Sequence, residues 1–140
     1  MTDWVGKTYW IVGASDGLGA ALAKKIGASG AKIVLSARSE DKLPEMAEGL
    51  DALVTVQPMD ISDTESVKAA AAAIGPVDGV ILVAGAYWPM SAREWNAEQA
   101  VTMADVNFTG YLRVLGEVVP GMVERDSGHV VITSSVSAYR

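Results

Sequence analysis

The stretch Tyr9-Trp10-Ile11-Val12-Gly13-Ala14-Ser15-Asp16-Gly17-Leu18-Gly19 decides the fold. Four β-forming residues run into a turn with glycine at 13, 17 and 19. Leu18, Leu22 and Ile26 then follow at a spacing of four, with Lys24 and Lys25 off that line. The apolar period changes within a few residues from that of a buried strand to that of a helix, which predicts strand, glycine turn and a helix over residues 18–29. Glycine permits positive φ and lets another group approach the backbone. A helix start presents unpaired N–H groups and the positive end of the dipole, so the turn suits a pyrophosphate. A tight turn that only packs helix on strand has the same sequence.

Outward from this unit the alternation continues. Lys32-Ile33-Val34-Leu35-Ser36 reads as a second strand, residues 41–50 as a short helix, and Leu53-Val54-Thr55-Val56-Gln57 as a third strand. A helix begins at Asp63, with Ser62 as its cap, and runs to about Ile74, where Gly75-Pro76 stops it. Val80-Ile81-Leu82-Val83-Ala84 lacks polar alternation, as a strand covered on both faces does. Residues 97–124 are mostly helical, with Phe108, Leu112, Leu115, Val119 and Met122 forming one apolar stripe, and Val130-Val131-Ile132-Thr133 is a fifth strand. Strands alternating with helices imply an α/β fold with a parallel sheet. Right-handed crossovers make it a doubly wound, Rossmann-type sheet of five strands within one domain over residues 1–140.

Composition narrows the chemistry. Among 140 residues there is no cysteine and one histidine, which excludes a disulfide framework, thiolate catalysis and a multi-histidine metal centre. Eleven basic against 17 acidic residues give a net charge of −6, which argues against nucleic acid or an anionic membrane as partner. Apolar runs are far shorter than the ~20 residues of a membrane span. Met1-Thr2-Asp3-Trp4 does not open like a secretory leader, so a cytoplasmic location is expected.

Two further readings bear on the turn. Its spacing is G-x-x-x-G-x-G rather than the commoner G-x-G-x-x-G of dinucleotide sites. The end of the second strand, where such sites often place an acid for the ribose 2′-OH, has Ala37-Arg38-Ser39 instead. Arg38 could fork onto a 2′-phosphate, favouring NADP with NAD as the alternative, or be a solvated arginine. Gly13-Ala14-Ser15-Asp16-Gly17 also fits the G-x-S-x-G elbow of serine hydrolases, with Ser15 as nucleophile and Asp78 or Asp105 and His129 following in chain order. Against that stands the shortness of the segment before it, which leaves no earlier strand for an oxyanion-hole loop.

Taken together, these segments resemble the short-chain dehydrogenase/reductases, whose turn is T-G-x-x-x-G-x-G; Val12 stands at the threonine position. Asp60-Ile61 looks like the family's adenine-contacting pair, and Leu82-Val83-Ala84-Gly85 resembles its Asn-Asn-Ala-Gly, with both asparagines replaced by apolar residues. Asn107 matches the asparagine of the proton relay, and Ser135 falls where the catalytic serine does. The resemblance implies that Gly13, Ser15, Gly17, Leu18 and Gly19 cradle the pyrophosphate. Asp60 and Ile61 would hold the adenine, and Ala84 and Gly85 would approach the ribose. It further implies hydride transfer between NADP(H) and an alcohol or carbonyl compound, and a homodimer or homotetramer through the helix near 101–124.

The family's proton donor is a tyrosine lowered in pKa by a lysine, in a Tyr-x-x-x-Lys motif on a helix after the serine. Tyr139 lies too close to Ser135 for that helix, and no lysine follows it. The chain is therefore expected to be the N-terminal portion of a longer enzyme, with the sheet incomplete at its C-terminal end. Val130–Thr133 would otherwise be an uncovered apolar edge. The rival reading is a nucleotide-binding or interaction module without catalysis.

Overall fold

Thr8 to Val12 carry side chains suited to burial on both faces, and this strand, β1 (Thr8–Val12), lies at the centre of a five-stranded parallel sheet. A computed structural model describes residues 3–135 of the chain. β1 pairs with β2 (Lys32–Ser36) on one side and β4 (Gly79–Leu82) on the other, while β3 (Val54–Val56) and β5 (His129–Ile132) flank them in the order β3-β2-β1-β4-β5. Val12 is level with Ser36 and with Leu82, so the C-terminal ends of the three central strands form one rim. The strand order reverses between β1 and β4, the place where doubly wound sheets open a ligand crevice.

Side chains alternate across the sheet and feed two cores. Tyr9, Ile11, Ile33, Leu35 and Ile81 pack beneath α1 (Gly17–Gly27) and α2 (Lys42–Glu48). Trp10, Val12, Val34, Val80 and Leu82 pack beneath α3 (Thr64–Ile74) and α5 (Gly110–Glu124). The buried indole Nε1 of Trp10 donates to Ser36 Oγ (2.8 Å), which donates to the Gln57 carbonyl (2.6 Å). One fully buried hydroxyl thus ties three strands together without an unpaired polar group.

Several expectations need correction. In α1 the buried face is Gly19, Ala23, Ile26 and Gly27, while Leu18 is 55% exposed. Small residues face the sheet because the helix lies close against it. The cap of α3 is Asp63 rather than Ser62: its carboxylate accepts from the Glu65 and Ser66 N–H groups, and Ser62 is bonded to Asp60 instead. The long helical region divides into α4 (Ala97–Ala104), a π-helical turn (Asp105–Thr109) and α5. A π turn inserts a residue and shifts the phase of the face that follows. Phe108 and Leu112, expected inside, are 67% and 52% exposed, and the buried line is Val106, Tyr111, Val114 and Met122. Among the described residues no helix is long and apolar enough to cross a membrane, and no group of His, Cys, Asp and Glu could hold a metal ion.

Candidate functional site

A cavity of about 490 Å³ opens at the switch point, walled by the residues that follow β1, β2, β3 and β4. After β1 comes the glycine turn. Gly13 has φ +95°, and a Cβ there would overlap the backbone of Ala84. Its N–H and that of Ala14 both donate to the Ser36 carbonyl (2.8 and 3.1 Å), fixing the turn to the end of β2. A Cβ on Gly19 would overlap the Gly13 carbonyl, so Gly19 makes the turn tight but does not line the cavity. Gly17 has φ +50° and open space where a Cβ would stand. These features fit a phosphate cradle: backbone is accessible at a helix start, with room beside it. The carboxylate of Asp16 already accepts the Gly17 N–H at 2.7 Å. A phosphate here has to use the other donors or displace that cap.

The far wall follows β2. Arg38 and Ser39 line the cavity, with Ala37 buried between them and the sheet. From the segment after β3, Met59 and buried Ile61 complete this end, and the Met59 N–H donates to the Ala37 carbonyl (3.1 Å). Asp60 is not on the wall. Its Oδ1 accepts from the hydroxyl and the N–H of Ser62 (2.6 and 2.9 Å). Burial pushes its pKa up, but those two bonds and the charges of Arg38 and Arg113 outweigh it and hold the carboxyl below its ordinary value. Arg113 braces the same segment: Nη1 donates to the Ile61 carbonyl (3.3 Å), Nη2 to Asp105 (2.8 Å) and Nε to Thr64 (3.0 Å).

Ala84 and Gly85 wall both this cavity and a second of about 410 Å³, which Asn107, Tyr111, Tyr87 and Ser135 also line. The structure therefore brings Asn107 and the exposed Ser135 to one space beside the first cavity. The Asn107 carboxamide is committed at both ends to Ala86, accepting its N–H and donating to its carbonyl, each at 2.8 Å. Tyr111 donates to the Ala84 carbonyl (2.7 Å), and burial raises its pKa. Tyr139 lies outside the described residues.

Of the sequence-based set, Gly13, Ser15, Gly17, Arg38, Ile61, Ala84 and Gly85 meet at the first cavity, whereas Leu18, Gly19 and Asp60 stand outside its wall. Sequence reasoning missed Ser39 and Met59, whose signal was adjacency to Arg38 and Asp60. It also missed Val106, which reaches the wall from the π turn and has no local signature.

The hydrolase arrangement is not assembled. Ser15 follows the C-terminal end of β1, while His129 opens β5 at the opposite end of the sheet, level with Gly79. The two ends of a four-residue strand are roughly 10 Å apart. His129 is bonded there to the Tyr9 phenol (3.1 Å), and Asp78 accepts the Thr8 N–H (2.8 Å), so both serve the N-terminal end of the sheet. Asp105 is taken by Arg113.

A family model described as short chain dehydrogenase matches residues 7–140. An uncharacterized oxidoreductase of Staphylococcus epidermidis is 36% identical over 137 residues, covering 95% of this chain and 60% of its own length. Glycine betaine reductase of Emericella nidulans is 40% identical over 139 residues, which are 93% of this chain and 11% of that protein. The chain thus spans about 60% of the length of the staphylococcal relative. An actinorhodin polyketide ketoreductase solved with NADPH superposes with a TM-score of 0.92 at 26% identity, over 96% of this chain and 55% of that one. A metagenomic short-chain oxidoreductase in complex with NADP gives 0.92 at 25%, over 99% and 66%. Family model, relatives and fold agree with the site geometry, and the chain belongs to the short-chain dehydrogenase family of oxidoreductases.

Proposed function

We propose that the first cavity binds NADP(H) and that the protein serves hydride transfer between it and a small alcohol or carbonyl compound. The observation that carries this reading is the layout of the cavity: an accessible glycine turn at a helix start, flanked by Arg38 with no carboxylate at residues 37–39. The nicotinamide, when bound, supplies or accepts the hydride. The chain's own residues do the rest. Gly13, Ser15 and Gly17 border the pyrophosphate, the Gly17 N–H reaching it by displacing the Asp16 cap, and Gly19 and Leu18 keep the helix start in place. Arg38 forks onto the 2′-phosphate, Ile61 borders the adenine with Asp60 setting the turn that presents it, and Ala84 and Gly85 border the far ribose.

Ser135 hydrogen-bonds the substrate oxygen, and Asn107 contributes by fixing the Ala86 backbone beside it. We further propose that this chain is the N-terminal portion of a longer enzyme, on the ground that it spans 60% of its staphylococcal relative. The proton donor then lies outside the described residues.

Fluorescence titration of the chain with NADPH and with NADH tests the cofactor assignment. NADPH should bind at least about tenfold more tightly, and Arg38→Ala should remove that preference by weakening NADPH alone. Equal weakening of both would discard the 2′-phosphate role, and no binding of either would discard the nucleotide site.

A further inference from the structure

β4 ends at Leu82, and its last ladder bond on the β1 side is the Val83 N–H to the Val12 carbonyl (2.9 Å). Beyond it, residues 84–86 run without strand pairing, Ala84 and Gly85 walling both cavities and Ala86 the second. Two side chains one helical turn apart hold this segment. Asn107 takes both polar groups of Ala86, and Tyr111, a residue only 7% exposed, donates to the Ala84 carbonyl. On the opposite side Gly13 presses on the Ala84 backbone so closely that a Cβ would not fit. Ala84 is therefore set between the glycine turn and the phenol. Burial disfavours the phenol's ionised form and raises its pKa, so it is a donor at neutral pH.

Resting on the nucleotide reading above, we propose that Tyr111 is a positioning residue for the far end of the dinucleotide, acting through the Ala84 carbonyl. The direction follows from the cavity. Arg38 stands past β2 at the 2′-phosphate end and the glycine turn follows β1 in the middle, so Ala84 and Gly85, past β4, border the nicotinamide ribose. Without the phenol hydroxyl, the Ala84 carbonyl loses its partner and the segment is held only at Ala86. An adenosine fragment, confined to the Arg38 end, does not reach this wall.

The test titrates the chain and its Tyr111→Phe variant with NADPH and with adenosine 2′,5′-bisphosphate, which lacks the nicotinamide half. Amide exchange at Gly85 and Ala86 is followed in parallel. Tyr111→Phe should weaken NADPH about tenfold, leave the bisphosphate within about twofold, and speed exchange at Ala86. Val114→Ala, a fully buried change in the same helix, should lower the melting temperature without altering the ratio of the two affinities. Equal losses for both ligands, or no loss for either, overturn the positioning role while leaving the nucleotide site intact. Failure of the unaltered chain to bind either ligand overturns the site and this inference together.

Discussion

Asp60 shows how one side chain can serve a site without touching it. Its carboxylate closes a small turn onto Ser62, which sets the direction in which Met59 and Ile61 meet the cavity. Burial opposes its charge, but the Ser62 bonds and the two arginines prevail, so the folded chain takes up that proton at lower pH than the unfolded chain does. The stabilisation is therefore complete above the ordinary carboxylate range and fades as pH falls through the lowered folded-state value. Asp60→Asn should be less stable than the parent at neutral pH, and the gap should close on acidification. Urea melts at a series of pH values measure this; a gap that widens toward acid would contradict the assignment. Arg38 is the complementary case, an exposed cation whose value depends on a ligand phosphate.

At the scale of elements, the start of α5 is pressed against the cavity wall. A Cβ on Gly110 would come within 2.8 Å of Ile61 Cγ1, 2.9 Å of the Ile61 carbonyl and 3.1 Å of the Asp105 carbonyl. Backbone cannot yield as a flexible side chain does, so Gly110→Ala should cost roughly 1–3 kcal/mol of stability. It should also weaken NADPH binding, because Ile61 is displaced. Calorimetry and nucleotide titration check both, and a variant as stable as the parent would show that α5 has room to shift. The strands were legible in the sequence because the apolar period switches sharply at Gly13, Gly75-Pro76 and the residues before Val130. The π turn was not, since no local propensity marks an extra residue in a helix. Phe108 and Leu112 were consequently assigned to the wrong face, whereas Leu115 and Met122 do face the core. The bonds from Asn107 to Ala86 and from Tyr111 to Ala84 were equally hidden, each spanning more than twenty residues between unlike elements.

For the whole molecule, that phase shift has an outward consequence. The apolar stripe read along residues 108–122 exists, but its leading part is turned away from the core. Val101, Phe108, Leu112 and Val123 are all more than half exposed along α4, the π turn and α5. Apolar area left on a surface gains about 25 cal/mol per Å² when it is covered, so a set of this kind favours association. The occupant we propose is a second copy of the chain, which presents the same face and makes a self-complementary two-fold contact. A net charge of −6 opposes association at long range, so added salt should strengthen it. Sedimentation velocity at tens of micromolar should show a dimer or larger species, and Leu112→Glu should shift it to monomer. NADPH affinity should stay unchanged, because residue 112 lines neither cavity. A parent chain that remains monomeric at every concentration, in low and high salt, would remove the second copy as the partner of this face.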